Sequence, residues 1–388
     1  MCKRGMLLIL VAVASLAAAQ VQIDPSVIEG IFGKPEVPTT TVAPIYQDDD
    51  GENCQCVPYY LCDANKRAID DPTITGFGQL DIRFGSVCQE STELCCKMQK
   101  INLNVIPMEP DSKRLKGCGY RNVNGLDFTV TGGDGDESQF GEFPWVVAIL
   151  HEKDKDLDYV GVGVLIHPQV VMTGAHIVNK IAADQLIIRA GEWDTKTEKE
   201  RLPAQERRVS DYITRDDFGE LNMFNDMALV RLKEPVQLSD HINVICMPDQ
   251  DESFDSHTAC VANGWGKNKF GKNGTYAVIQ KKVVLDMLSH KICNIMLRST
   301  RLGHFFKLDK SFVCTAGKEG KDTCQGDGGA PLVCPMGDNR YKLTGLVSWG
   351  IGCGDQDVPA VYTRVALFRQ WVDGLMSTWG FDTKGYKV

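Results

Sequence analysis

The stretch Asp322-Thr-Cys-Gln-Gly-Asp-Gly-Gly-Ala-Pro-Leu-Val-Cys334 sets three glycines around one aspartate. A turn this tight can aim two successive backbone N–H groups at a carbonyl oxygen while a hydroxyl between them attacks the carbonyl carbon, which is acyl-transfer chemistry. Gly328 stands where that hydroxyl would be carried, and it has none. The loop is present and its reagent is missing. The question therefore shifts from which bond is cut to what an emptied acyl-transfer site is used for.

Cysteine is the other residue type here with covalent chemistry to offer, and there are fifteen. The opening Met1-Cys-Lys-Arg-Gly-Met6, the apolar run Leu7 to Ala14 and the small residues Ala17-Ala18-Ala19 predict a signal peptide cut before Gln20. It is too short for a membrane span, and no later stretch is apolar enough for one. A secreted chain meets an oxidising compartment, so its cysteines read as bridges. Cys2 leaves with the signal peptide and an even fourteen remain. Six of these, Cys54, Cys56, Cys62, Cys88, Cys95 and Cys96, crowd into one short segment. So short a segment cannot bury enough apolar surface to offset its chain entropy, so it reads as a disulfide-stapled module rather than a metal site. Spacing alone leaves the connectivity open.

The elements that must position this chemistry follow from the chain in order. Its 388 residues suit about two domains with connecting segments. The formal charge of -9 argues against a nucleic-acid partner. After the signal peptide (1–19), residues 20–53 hold Pro and Thr clusters and the acidic run Asp48 to Asp50, a solvated linker without a packing pattern. The stapled module occupies 54–97, and 98–117 is a second linker with the basic pair Lys113-Arg114. From Cys118 the pattern becomes short strands divided by turn residues: Trp145 to Leu150, Val160 to Ile166, Val170 to Thr173, Gln185 to Ala190 and Met227 to Leu232. Such runs predict an antiparallel barrel or sandwich. Leu367, Trp371, Val372, Leu375 and Trp379 have the spacing of an amphipathic helix, which closes a domain over 118–380 before a short tail, 381–388.

Six motifs run through that domain in order: Gly141-Glu-Phe-Pro-Trp145, Thr173-Gly-Ala-His176, Asn225-Asp-Met-Ala-Leu229, Gly264-Trp-Gly266, the Gly328 loop and Ser348-Trp-Gly-Ile-Gly352. Together they resemble the chymotrypsin-like serine proteases from about Cys118 to Trp379, and the stapled module resembles the clip domain of arthropod proteases. The whole is similar to the clip-domain serine protease homologues of the phenoloxidase-activating kind found in insect haemolymph. The resemblance implies a mostly β fold, a chymotrypsin-like double antiparallel β-barrel with a C-terminal helix, preceded by a small disulfide-stapled clip domain.

By the same resemblance, His176 matches the general base and Asp226 the carboxylate that orients it, with Gly328 in place of the nucleophile. A lone histidine is usually a satisfied core residue; its motif and the later Asp226 favour the catalytic match. With nothing to deprotonate, the pair cannot carry out acyl transfer, so a pseudoprotease is expected. Relatives bridge a cysteine beside the histidine to one in the preceding strand; here those positions hold Ile177 and Gly161. Asp322 matches the carboxylate that receives a basic side chain, with Gly350 and Gly352 on the pocket wall. Ala360, after Pro359, crowds the floor, which makes the pocket a vestige. Activation in this family frees an amino group that pairs with the aspartate before the nucleophile. The matching stretch is Val130-Thr-Gly-Gly133 and the carboxylate Asp327, but Thr129 is no substrate for a trypsin-like activator. A regulatory cut is expected instead in the clip module or second linker, at a basic residue such as Arg67, Lys100 or Arg114.

The resemblance further pairs Cys54 with Cys95, Cys56 with Cys88, Cys62 with Cys96, Cys118 with Cys246, Cys260 with Cys334, Cys293 with Cys314 and Cys324 with Cys353. It implies a Ca²⁺ site on the loop that begins at Gly191, with side-chain oxygens from Glu192 and from Glu200 or Glu206, and carbonyls from Asp194 and Thr197. Asn273-Gly-Thr275 is a glycosylation sequon. The implied role is that of a secreted cofactor, cut by an upstream clip-domain trypsin-like protease and then joining phenoloxidase or its zymogen, prophenoloxidase, as a homo-oligomer. Neither nucleic acid nor membrane is an expected partner, and Tyr59 and Tyr60 are candidate partner contacts or else small-core residues. A secreted decoy or an adhesive, microbe-binding homologue is the alternative.

Overall fold

The structure is a computed structural model and describes residues 45–47, 51–62, 78–81, 87–88, 92–97, 117–131, 135–154, 156–197, 200–267, 274–317 and 322–388. The signal peptide, Arg67, the second linker with Lys100 and Arg114, and Asn273 lie outside them. Residues Ile45–Val388 form one compact unit.

In the clip segment, strands β1 (Tyr46–Gln47), β2 (Asn53–Pro58) and β4 (Glu93–Cys96) make a three-stranded sheet. Three disulfides staple it, Cys54–Cys95, Cys56–Cys88 and Cys62–Cys96. Strand β3 (Gly78–Asp81) leaves that sheet and pairs in parallel with β5 (Phe128–Thr131). A 3₁₀ turn, Tyr59–Leu61, delivers its three side chains into a cluster with Phe128, Phe140, Trp193 and Leu202. Tyr59 and Tyr60 are 3% and 1% exposed, so they are core rather than a free contact surface. The rings interlock: Phe128 sits 4.5 Å from Tyr59 and 5.3 Å from Trp193, within the range of favourable aromatic pairs.

Six antiparallel strands then close a barrel in the order β10-β11-β8-β7-β6-β9. They are β6 (Val146–Lys153), β7 (Asp156–His167), β8 (Val170–Thr173), β9 (Leu186–Ala190), β10 (Gln205–Thr214) and β11 (Ala228–Leu232). Branched residues that alternate inward, among them Val147, Ile149, Val171, Ile188 and Val230, fill it. Closure leaves no edge strand for another chain to pair with.

The second sheet runs β13-β12-β16-β17-β18-β15-β14, with β12 (Cys260–Gly264), β13 (Lys281–Leu285), β14 (Met287–Leu288), β15 (Phe312–Thr315), β16 (Pro331–Gly337), β17 (Arg340–Trp349) and β18 (Ala360–Arg364). Its two outer strands, β13 and β14, are separated only by Asp286, so the edges meet and the sheet curls into a second barrel. Among the described residues three α-helices complete the fold: a single turn α1 (Ala175–Val178), then α2 (His290–Arg298) and α3 (Arg369–Thr378). Val372 and Met376 bury the inner face of α3, and Leu367 belongs to the 3₁₀ turn before it. The double barrel with a C-terminal helix and a stapled clip segment is the fold that the motifs imply. Four disulfides brace it: Cys118–Cys246, Cys260–Cys334, Cys293–Cys314 and Cys324–Cys353.

Candidate functional site

Strand pairing brings the first two site residues together. β8 and β11 are neighbours with Thr173 opposite Ala228, so His176, in the helical turn just past β8, falls beside Asp226, two residues before Ala228. Asp226 is fully buried, and a buried carboxylate must be satisfied by donors. Oδ1 takes the backbone N–H of His176 at 3.0 Å. Oδ2 takes His176 Nδ1 at 2.7 Å and the Ser348 hydroxyl at 2.6 Å. A carboxylate only accepts, so Nδ1 carries the hydrogen of this bond and Nε2 faces the other way. Ser348 comes from β17, and Thr363 of β18 donates to the Asp226 carbonyl at 2.8 Å, so this residue ties the two barrels together.

Nε2 points at Gly328, where a side chain would be crowded. A Cβ built on Gly328 would lie 2.7 Å from His176 Nε2 and 2.8 Å from Ile177 Cδ1, nearer than real side-chain carbons come. The same Ile177 Cδ1 would lie 2.8 Å from a Cβ on Gly161. One isoleucine thus occupies the room that both glycines leave. The family resemblance implies that Ile177 and Gly161 stand where relatives have a bridged pair, but not that this isoleucine also lies beside the nucleophile position. Beside it, Gly329 has φ 77° and a Cβ there would fall 2.2 Å from Thr173 Oγ1, so the tight turn requires glycine. The Tyr159 hydroxyl, which sequence reasoning missed, donates to the Gly326 carbonyl at 2.9 Å and braces the turn.

Asp322 receives the backbone N–H of Thr323 at 2.8 Å and of Gly354 at 3.3 Å. Burial, reinforced by the charges of Asp327 and Asp355, pushes its carboxyl up to about 6. Asp322 and Asp327 line one cavity; Gly350, Gly352 and Ala360 do not. Ala360 is buried at the start of β18, opposite Thr315. Val130 is in β5, its N–H donating to Gln139 Oε1 at 2.6 Å and its side chain in the clip-facing cluster.

From the end of β9, Arg189 donates to Glu192 at 3.0 Å and to Glu206 at 2.9 Å, which draws the half-exposed Glu206 to the outer face. Thr197 donates its N–H to the Asp194 carbonyl at 3.3 Å. Glu200 is 7% exposed, and its Oε1 has no hydrogen-bond partner among the described residues. Burial pushes it up to about 8, and the charges of Glu192 and Asp194 act in the same direction. A hard cation would relieve both the repulsion and the unmatched oxygen, so Glu192, Asp194, Thr197 and Glu200 suit Ca²⁺ better than Glu206 does. Among the described residues these carboxylates do not converge into a tight trio, so the fit rests on Glu200.

Two barrels meeting at a buried His–Asp pair, with Gly328 facing the base, define a chymotrypsin-like scaffold. Comparison with known proteins agrees: the trypsin family profile matches residues 133–372, and a profile described as the serine protease clip domain PPAF-2 matches residues 44–97. The chain belongs to the clip-domain branch of the trypsin family. It is 45% identical over 294 residues to phenoloxidase-activating factor 2 of Galleria mellonella, covering 73% of this chain and 96% of that protein. It is 36% identical over 330 residues to inactive CLIP domain-containing serine protease A8 of Anopheles gambiae, covering 82% and 87%. Against inactive CLIP domain-containing serine protease A3 of Aedes aegypti the identity is 36% over 354 residues, covering 88% and 71%. Among the described residues no helix is long and apolar enough to cross a membrane.

Proposed function

We propose that the chain is a secreted, non-catalytic cofactor of prophenoloxidase activation, cut by an upstream trypsin-like protease and then acting by binding, as an oligomer, to phenoloxidase or its zymogen. The observation that carries this reading is Gly328 facing His176 with Ile177 beside it: base and carboxylate are poised, and the residue they face has no hydroxyl, while a side chain there would push against Ile177 and His176. Removing the nucleophile of such a triad lowers turnover by about a millionfold, which leaves binding as the remaining use. The name of the Galleria relative supports the cascade, and the names of the mosquito relatives support inactivity. Seven disulfides support an oxidising, extracellular setting. Ca²⁺ at Glu192 and Glu200, with the carbonyls of Asp194 and Thr197, would neutralise the buried acids and stiffen the loop; it takes no part in chemistry.

Reconstitution tests the reading. Prophenoloxidase and its activating protease are incubated with intact or pre-cut protein, and phenoloxidase activity and complex size are measured. The cofactor reading expects the cut form to raise both while the protein hydrolyses no arginyl ester. Unchanged activity and size would favour a decoy or adhesive role, and ester turnover would end the pseudoprotease reading.

A further inference from the structure

The surface around α2 differs in charge from the rest of the chain. From His290 to Leu308 there are four lysines and arginines, Lys291, Arg298, Arg301 and Lys307, and no acid, in a chain of formal net charge -9. Pro248 to Thr258 shows the reverse pattern, with four acids, Asp249, Asp251, Glu252 and Asp255, and no lysine or arginine. We infer that these two segments form one self-complementary docking face for a second copy of this chain, paired about a two-fold axis.

Three observations carry the inference. First, the basic segment exposes apolar side chains in a group. Ile292 and Ile295 are 49% and 53% exposed, and Phe305 is 85% exposed. Lys291, Ile295 and Arg298, spaced by four and three, share one stripe of α2 with Ile292 beside it, while Cys293 and Leu297 face inward. Arg298 Nε donates to the Phe306 carbonyl at 2.7 Å, which holds the turn bearing Phe305 at the end of that stripe. Exposed apolar residues grouped within a polar rim mark a contact surface. Second, the charges are unspent. Among the described residues Lys291, Arg301, Lys307, Asp251 and Asp255 form no ion pair, and Asp249, its side chain 89% exposed, reaches Arg369 only at 3.8 Å. Third, the two segments are contiguous. The Met287 N–H donates to the His257 carbonyl at 2.8 Å and the Ala259 N–H to Asp286 Oδ1 at 3.1 Å, so the acidic loop runs beside β14. Only Ser289 separates β14 from α2.

This arrangement selects the occupant. An anionic lipid surface would match the basic half and be repelled by the acidic half. A second copy matches both: a two-fold axis lays α2 of each chain against the acidic loop of the other, with the exposed isoleucines covered between them. The inference rests on the reading that the protein acts as an oligomer, and it supplies that oligomer with a contact.

Sedimentation velocity of the full secreted protein, intact and cut, tests this. The unaltered chain is expected to dimerise, at least about tenfold more weakly as salt rises from about 0.1 M to about 1 M and screens the facing charges. Reversing the helix side, Lys291→Glu with Lys307→Glu, or the loop side, Asp249→Lys with Asp255→Lys, should weaken self-association at least about a hundredfold, because like charges then meet at both contacts. An equimolar mixture of the two variants matches opposite charges at both contacts again and should recover the dimer, which a misfolded variant could not do. An unaltered chain that stays monomeric overturns the inference, and so does a mixture that fails to pair. Variants that dimerise as tightly as the unaltered chain overturn it too, but leave the oligomer reading standing with its contact elsewhere. A monomer that binds phosphatidylserine vesicles through Lys291 and Lys307 would give the face to a lipid surface and overturn the inference as well.

Discussion

The vestigial catalytic cleft and the clip-facing aromatic cluster are built on opposite principles. In the cleft a polar network is complete and has nothing to act on: Asp226 is held by His176, Ser348 and Thr363, and the base looks at Gly328. The Ser348 and Thr363 bonds also join the barrels, so the pair persists as structure, and its geometry says nothing about turnover. In the cluster the contacts are apolar and cross from one module to the other, Tyr59, Tyr60 and Leu61 packing on Phe128, Phe140 and Trp193. Arg201 lies over the Tyr60 ring at 5.1 Å and reaches Asp127 at 3.2 Å, and Asp127 accepts from the Tyr59 hydroxyl. The difference teaches that the surviving catalytic residues are held by polar bonds, whereas the clip segment is fastened to the larger domain by buried rings.

The most forceful way to break that comparison is to empty the cluster. Phe128 is fully buried and contacts Tyr59, Phe140 and Trp193. Phe128→Ala should therefore cost about 3–5 kcal/mol of stability, since truncating a buried ring loses its transfer energy and leaves a cavity. Denaturant unfolding gives the magnitude and hydrogen exchange its place. Protection should fall in 53–62 and 128–131 and hold around His176 and Asp226. A uniform loss over both regions would mean that the two are a single cooperative element.

A milder probe uses acid. His241 is 2% exposed beside Phe140, its Nε2–H donating to the Pro203 carbonyl at 3.1 Å and its Nδ1 paired with the Ser239 hydroxyl at 2.9 Å. Burial depresses it to about 4. The unfolded chain therefore binds this proton first, and stability falls as pH drops from about 6.5 to about 4, by on the order of 3 kcal/mol in all. Below both values no further loss comes from this group. His241→Gln should remove that slope, and the difference between the two pH profiles isolates it from carboxylates such as Glu200, which shift in the opposite direction. Identical profiles would place His241 in contact with water.

Much of this was legible in the sequence, for identifiable reasons. The strands over Val160 to Ile166 and Val170 to Thr173 announce themselves because a closed barrel needs branched residues on its inner face, and the helix at Trp371 and Val372 because its apolar stripe has nowhere else to go. The meeting of His176 and Asp226 follows from motif order. Burial of Tyr59 and Tyr60 was not legible, because their partners Phe128 and Trp193 are far along the chain and no periodicity links them. Nor was the pairing of Glu206 with Arg189 at the surface, which sets it apart from the buried Glu200.

The finest test returns to the cleft and asks whether one residue or two emptied it. Gly328→Ser forces a Cβ against both His176 Nε2 and Ile177 Cδ1, so overpacking should cost about 1–3 kcal/mol. The new hydroxyl should then be inert, because the imidazole must swing away to admit it. In Gly328→Ser with Ile177→Ala the strain is relieved and His176 can return to Asp226, so stability should recover relative to the single serine variant. A serine-directed phosphonate should label the double variant and not the single one, while peptide hydrolysis stays undetected because Asp322 opens into the Asp327 cavity instead of lining a pocket with Gly350 and Ala360. Equal labelling of both would show that Ile177 is a bystander and that the missing serine alone silenced the site. Labelling of neither would move the obstruction to the turn itself, at Gly326, where Tyr159 holds the carbonyl.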